Sequence, residues 1–138
     1  MIPWNYNGIE VKEVPEGMQS FVYYLELEFE GTTYKYIGKK NFFSTRRTKV
    51  PDKVRRKVIT KESDWRLYCS SSYSVKALLK DGAIITKRDI WYICETLTCA
   101  TYMETKSHFD HNVLCSEEYL NKAIACKIMR CHIIKEKE

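Results

Sequence analysis

The stretch "MQSFVYYLELEFEG" limits the fold more than any other. From Phe21 to Phe29 the pattern alternates, so Phe21, Tyr23, Leu25, Leu27 and Phe29 share one face, and Glu26, Glu28 and Glu30 fall on the other. Successive side chains of a strand point to opposite faces, so the segment reads as a half-buried strand and not as a helix. "EGTT" then turns the chain, and "TYKYIG" reads as a second strand that ends at Gly38. The two form an antiparallel hairpin.

The rest of the chain decorates this hairpin. Asn41 caps a short helix through "FFSTRRTKV", which carries Arg46 and is stopped by Pro51. "PDKVRRKVITKES" has no apolar period and reads as an extended basic loop or a weak helix; "ESDWRLY" reads as one helical turn. "YSVKALLKDG" is an amphipathic helix closed by Gly82. "AIITKRDIWYIC" is a third strand, with Ile84, Ile85, Ile90 and Ile93 toward the core. "TLTCATYMETKSHFDHNV" is helical, with Leu97, Ala100 and Tyr102 or Met103 inward, and "SEEYLNKAIACKIMR" is a last helix or a loop followed by a short element. The expected class is α/β (α+β), a small, mostly antiparallel three-stranded sheet flanked by helices. Residues 1–18 read as an N-terminal extension, 19–122 as the domain, and 123–138 as its C-terminal segment.

A chain of 138 residues suffices for one core, and 44% hydrophobic residues are too many for a disordered one. No apolar run approaches the roughly 20 residues of a membrane-spanning helix. The start "MIPWNYNGIEVKEV" has no basic segment followed by an apolar one, so no secretory signal is expected and the expected location is the cytoplasm. In a reducing compartment the six cysteines read as core thiols. The spacings Cys94 to Cys99 and Cys126 to Cys131, with His108, His111, Cys115 and His132 nearby, leave a zinc-stabilised interaction domain as a lesser alternative.

Charge is unevenly spread. From Lys39 to Lys61 ten basic residues (Lys39, Lys40, Arg46, Arg47, Lys49, Lys53, Arg55, Arg56, Lys57 and Lys61) face one acid, Asp52, while the whole chain carries only +5. The remainder is therefore acidic on balance. A local cationic field suits a polyanion, because each neutralised phosphate releases condensed counterions. A solvated basic loop accounts for the charge equally well.

Ordered motifs decide between these. "FVY" at Phe21 to Tyr23, followed after twelve residues by "YIG" at Tyr36 to Gly38, resembles the paired signature of the GIY-YIG nucleases. Arg46 stands eight residues after the motif glycine, Glu104 on a later helix beyond the third strand, and Asn121 beyond that. "ESDWRLYCSSS" resembles the "ESDWxxYxGSS" block of phage-type members, with Ser70 at the usual glycine. The chain departs from the family pattern in three further places: Phe21 replaces the first glycine, the spacer between the triads is slightly long, and Val50 stands where many members have a polar residue.

The resemblance implies a metal-dependent DNA endonuclease, phage-encoded or of the homing type, acting as a monomer or homodimer. It assigns Tyr23 as general base and Tyr36 to positioning water or phosphate. Arg46 offers a planar fork of donors to phosphate oxygens, with Arg47 a competitor for that role. Glu104 could hold one Mg²⁺ or Mn²⁺ through water-rich coordination, and Asn121 could hold a phosphate or fix the glutamate. Lys39, Lys40, Arg47, Lys53, Arg55, Arg56 and Lys57 can track DNA phosphates, and Ser71 and Ser72 can donate to them. Trp65, Tyr68, Phe42 and Phe43 suit stacking on bases, but aromatic residues here more often pack in a core. The same scaffold with an inactive centre would be a DNA-binding module.

Overall fold

The computed structural model describes residues 1–48, 57–124 and 128–130. The long hairpin is formed by β3 (Ser20–Phe29) and β4 (Thr32–Asn41), ten residues each. Its turn is only two residues long, Glu30 at φ 49° and Gly31 at φ 77°. Positive φ at both positions is the geometry that matches the twist of a tight hairpin. The sheet around it has five strands, more than the three expected. Short strands β1 (Asn5–Tyr6) and β2 (Ile9–Glu10) precede the hairpin, and β7 (Ile84–Cys94) follows it; the order is β2-β1-β7-β3-β4. All neighbours are antiparallel except β1 and β7. The two-residue strands carry too little pattern to be seen in sequence.

Both faces of the sheet are covered. On one, Phe21, Tyr23, Leu25 and Leu27 pack with Trp4, Phe42, Trp65, Ile90 and Val75 of helix α1 (Tyr73–Lys80). On the other, Val22, Tyr24 and Ile37 pack with Val113, Leu114, Tyr119 and Ile124, beside Met103 of α2 (Leu97–Asp110). β3 is thus buried on both sides over its first half. Of the residues expected in the core, Ile90 and Ala100 are buried, whereas Ile84, Leu97 and Tyr102 are exposed. Phe42 and Trp65 are fully buried, so their role is packing.

The segment expected as a helix after Asn41 is a strand. β5 (Phe43–Thr48) pairs antiparallel with β6 (Lys57–Glu62) in a ribbon separate from the main sheet. β-branched residues at Thr45, Thr48, Val58, Ile59 and Thr60 favour extended backbone. Asn41 ends β4 and caps no helix. Val50 and Pro51 lie outside the described residues, as do Cys126, Cys131 and His132. Beyond α2 the chain forms a loop and two short strands, β8 (Ala123–Ile124) and β9 (Ile128–Met129). Among the described residues, no helix is long and apolar enough to cross a membrane.

Candidate active site

Register within the hairpin places Tyr23 opposite Gly38 and Leu25 opposite Tyr36. The Tyr23 and Tyr36 rings lie on one face with centroids 6.1 Å apart. Their approach depends on Gly38. A Cβ there would fall 2.5 Å from Tyr23 Oη and 2.8 Å from Tyr36 Cε1. Gly38 has no positive φ, and β4 continues to Asn41, so this glycine does not release the chain from the sheet as its sequence position suggested. It makes room for two phenols.

The "CSSS" loop closes over the rings. Tyr23 Oη donates to Ser70 Oγ at 3.3 Å, and the backbone N–H of Ser72 donates to the same oxygen at 3.0 Å. Tyr68 meets Tyr23 edge-on, with centroids 6.0 Å apart. Ser70 lies outside the left-handed region, so its replacement of a glycine brings no backbone strain. Instead, a buried hydroxyl joins the loop to a buried phenol. Arg88 fixes the loop from below: its guanidinium donates to the carbonyls of Tyr68 at 2.6 Å, Arg66 at 3.2 Å and Ile2 at 2.6 Å, and stacks 4.1 Å over Trp4. Sequence reasoning missed both Ser70 and Arg88. Only the position of Ser70 inside the motif block signalled the first, and nothing local signals that Arg88 turns inward from its strand.

Glu104 comes from α2, whose N-terminus is capped by Thr96 through a hydrogen bond from the Cys99 N–H at 3.0 Å. Lys39 donates to Thr101 Oγ1 at 2.6 Å, three residues before Glu104 on the same helix. Burial pushes the Glu104 carboxyl above its ordinary range, and Lys39 opposes the shift. The Tyr36 phenol is raised by burial and then by the charge of Glu104, against hydroxyls of Ser70 and Ser72 that lower it. Tyr23 is pushed up further, by burial first and by Tyr36 and Tyr68 next. At neutral pH both phenols therefore hold their protons and act as donors.

Tyr23 and Tyr36 are thus brought together, the Glu104 carboxylate acts on Tyr36, and Lys39 acts on that carboxylate. Glu104 accepts no hydrogen bond from the described residues and is a candidate oxygen ligand for a hard cation. No group of three or more His, Cys, Asp or Glu positioned to hold a metal ion occurs among the described residues. A Mg²⁺ site of this kind needs no such group, because the ion keeps several waters and takes one or two carboxylates plus substrate phosphate.

The other expected residues lie elsewhere. Arg46 stands exposed on the ribbon, and no hydrogen bond or ion pair among the described residues ties it to the tyrosines or Glu104. Asn121 is buried behind β4, accepting from the Ile37 N–H at 3.1 Å and donating to the Ile37 carbonyl at 2.8 Å. Its amide continues the strand edge as a backbone group would, next to His108, whose Nε2 lies 3.0 Å from the same carbonyl. Lys40 pairs with Asp64 at 2.8 Å and lies 4.1 Å over the Tyr68 ring. Ser72 caps α1, and Ser71 is exposed beside it. The backbones of Arg47 and Lys57 belong to the ribbon, while Lys53, Arg55 and Arg56 lie outside the described residues.

Comparison with known proteins adds one match. The family described as "Putative endonuclease segE, GIY-YIG domain" matches residues 4–124. No curated protein and no solved structure matches the chain. The match spans the five-stranded sheet, the ribbon, both helices and every residue gathered around the two tyrosines. With the motif glycine set between its two phenols, the chain belongs to the SegE-type GIY-YIG endonuclease domain family.

Proposed function

We propose that this protein is a metal-dependent endonuclease that hydrolyses DNA phosphodiester bonds, of the phage-encoded or homing type. The observation that carries the reading is the pairing of Tyr23 and Tyr36 across Gly38, with the Glu104 carboxylate acting on Tyr36 and Lys39 on Glu104, in a chain of an endonuclease family. Hydrolysis needs an activated water, donors to the phosphoryl oxygens and charge compensation at the leaving oxygen. Glu104 would hold Mg²⁺ or Mn²⁺, which supplies that compensation when bound. Lys39, anchored on Thr101, presents its ammonium to the phosphate.

Tyr36, half-buried, orients water or phosphate through its hydroxyl. Tyr23 serves as the general base, as the resemblance implies. Burial holds its phenol protonated at neutral pH, so its use as a base requires raised pH or a bound metal cation nearby. Asn121 acts through the backbone it holds at Ile37, one residue from Tyr36.

A competing reading, binding without cleavage, is favoured by one observation: the arginine that the resemblance assigns to the centre lies on the ribbon. Nicking of supercoiled plasmid separates the two. Wild-type nicking that needs Mg²⁺ or Mn²⁺ and is lost in Glu104→Gln supports the nuclease. Tight binding by both proteins with no cleavage by either supports the binding module.

A further inference from the structure

The geometry points to the β5–β6 ribbon as a duplex-reading element that enters the major groove beside the cut site, with Arg46 making base contacts from its exposed surface. This deepens the endonuclease reading and rests on it.

The ribbon is fixed at its base and open beyond it. Phe42 is fully buried beneath it, Ser63 donates from its N–H to the Phe42 carbonyl at 2.8 Å and from Oγ to the Asn41 carbonyl at 2.7 Å, and Glu62 accepts from Trp65 Nε1 at 2.8 Å. Past these anchors Ser44, Thr45, Arg46, Val58, Thr60 and Lys61 are all exposed. Among the described residues, the two strands pair only with each other.

Size selects the groove. Six residues per strand extend roughly 20 Å at about 3.4 Å each, with strands about 4.8 Å apart. A two-stranded ribbon with side chains fits a major groove about 12 Å wide and not a minor groove about 6 Å wide. Charge selects the occupant. Neither Arg46 nor Lys61 makes an ion pair among the described residues, and from Asn41 to Lys61 the sequence has one acid, Asp52.

Register puts Ser44 opposite Lys61, with Arg46 two residues on and so on the same face. This face offers a guanidinium, an ammonium and a hydroxyl together. A guanidinium presents two parallel donors to guanine O6 and N7, the commonest specific contact in the major groove. At the ribbon's root an open cleft of about 600 Å³ is lined by Lys39, Lys40, Asn41, Ser44, Thr45 and Thr60, among others. Because Lys39 lines this cleft and also bonds Thr101 at 2.6 Å, three residues from Glu104 on α2, a strand passing through the cleft connects the groove occupied by the ribbon with the reacting centre.

The test uses the full chain carrying Glu104→Gln, which removes the reactive carboxylate, selected against a library of randomised duplexes with and without Arg46→Ala or Lys61→Ala. Expected is a guanine preference at a fixed distance from the wild-type nick, with binding blocked by methylation of guanine N7. In Arg46→Ala that preference disappears and affinity for the preferred duplex falls roughly 5- to 150-fold, more than affinity for random duplex. Equal weakening on every sequence, with a salt slope lower by about one, would make Arg46 a phosphate contact and overturn the proposal. Arg46→Ala in the chain that keeps Glu104, losing cleavage on all sequences while its Glu104→Gln counterpart shows unchanged selection, would place Arg46 in catalysis and also overturn it. Absence of wild-type nicking on any DNA defeats the endonuclease reading, while the binding selection still judges the ribbon.

Discussion

The phenol of Tyr23 lies directly across Gly38, so close that a Cβ at position 38 would sit 2.5 Å from its oxygen and 2.6 Å from Cζ. These two residues are cross-strand partners in the hairpin. The glycine is required by space and not by backbone conformation.

Gly38→Ala therefore pushes Tyr23 off Ser70 without straining φ. Overpacking of this kind costs about 1 to 3 kcal/mol, and the displaced phenol takes nicking activity down with it. Gly31→Ala is the contrasting variant: no atom lies within 4 Å of a Cβ there, but φ is 77°. It costs about 1 kcal/mol in stability from left-handed backbone strain and leaves the nicking rate unchanged. Urea unfolding and plasmid nicking on both variants separate the two effects.

Ser70→Ala removes the acceptor for both Tyr23 Oη and the Ser72 N–H. A buried hydroxyl and a backbone N–H then lose their partner, at a cost of about 1 to 3 kcal/mol. The nicking rate falls because the Tyr23 ring is no longer held, and both changes appear in one variant preparation by denaturation and single-turnover cleavage.

Arg88 bridges three carbonyls from distant parts of the chain and makes no ion pair among the described residues. Arg88→Ala orphans all three and should cost about 3 kcal/mol. Arg88→Lys recovers little of that, since an ammonium cannot reproduce the fork of the guanidinium. Thermal unfolding of the two variants checks the order.

The pH dependence has a definite sign. Glu104 must be ionised to take the metal, and burial raises its pKa in the metal-free protein, so at subsaturating metal cleavage is lost on acidification at a pH above that of an exposed carboxylate. Lys39 holds that shift down; Lys39→Ala moves the acid limb to higher pH. Raised phenol pKa values make the rate climb further on the alkaline side. For stability the sign is opposite. A carboxyl whose folded pKa is raised destabilises the fold at pH values above that pKa, and the penalty fades as pH falls to the unfolded value. Glu104→Gln is thus more stable than the wild type at pH 7, and the difference vanishes in acid.

The hairpin was legible because its alternation covers nine residues and its motifs fall at fixed intervals. Helix α1, with Gly82 after it, and strand β7 were legible for the same reason. Residues 43–48 were not: a possible cap at Asn41 and a later proline suggested a helix, whereas the β-branched partner strand at 57–62 lay hidden in a basic run. Within the candidate site, Tyr23, Tyr36 and Glu104 were proposed from the order of motifs. Ser70 was noticed only as a departure from glycine, and the buried pairing of Asn121 with Ile37 depends on a contact 84 residues apart that no local pattern encodes.

The most direct test of the central claim is single-turnover nicking of supercoiled plasmid by the wild type and Glu104→Gln, in Mg²⁺, Mn²⁺ and EDTA, with DNA binding measured in parallel. The account predicts metal-dependent nicking by the wild type alone, with both proteins binding DNA equally well. Nicking that survives in Glu104→Gln or in EDTA would contradict it.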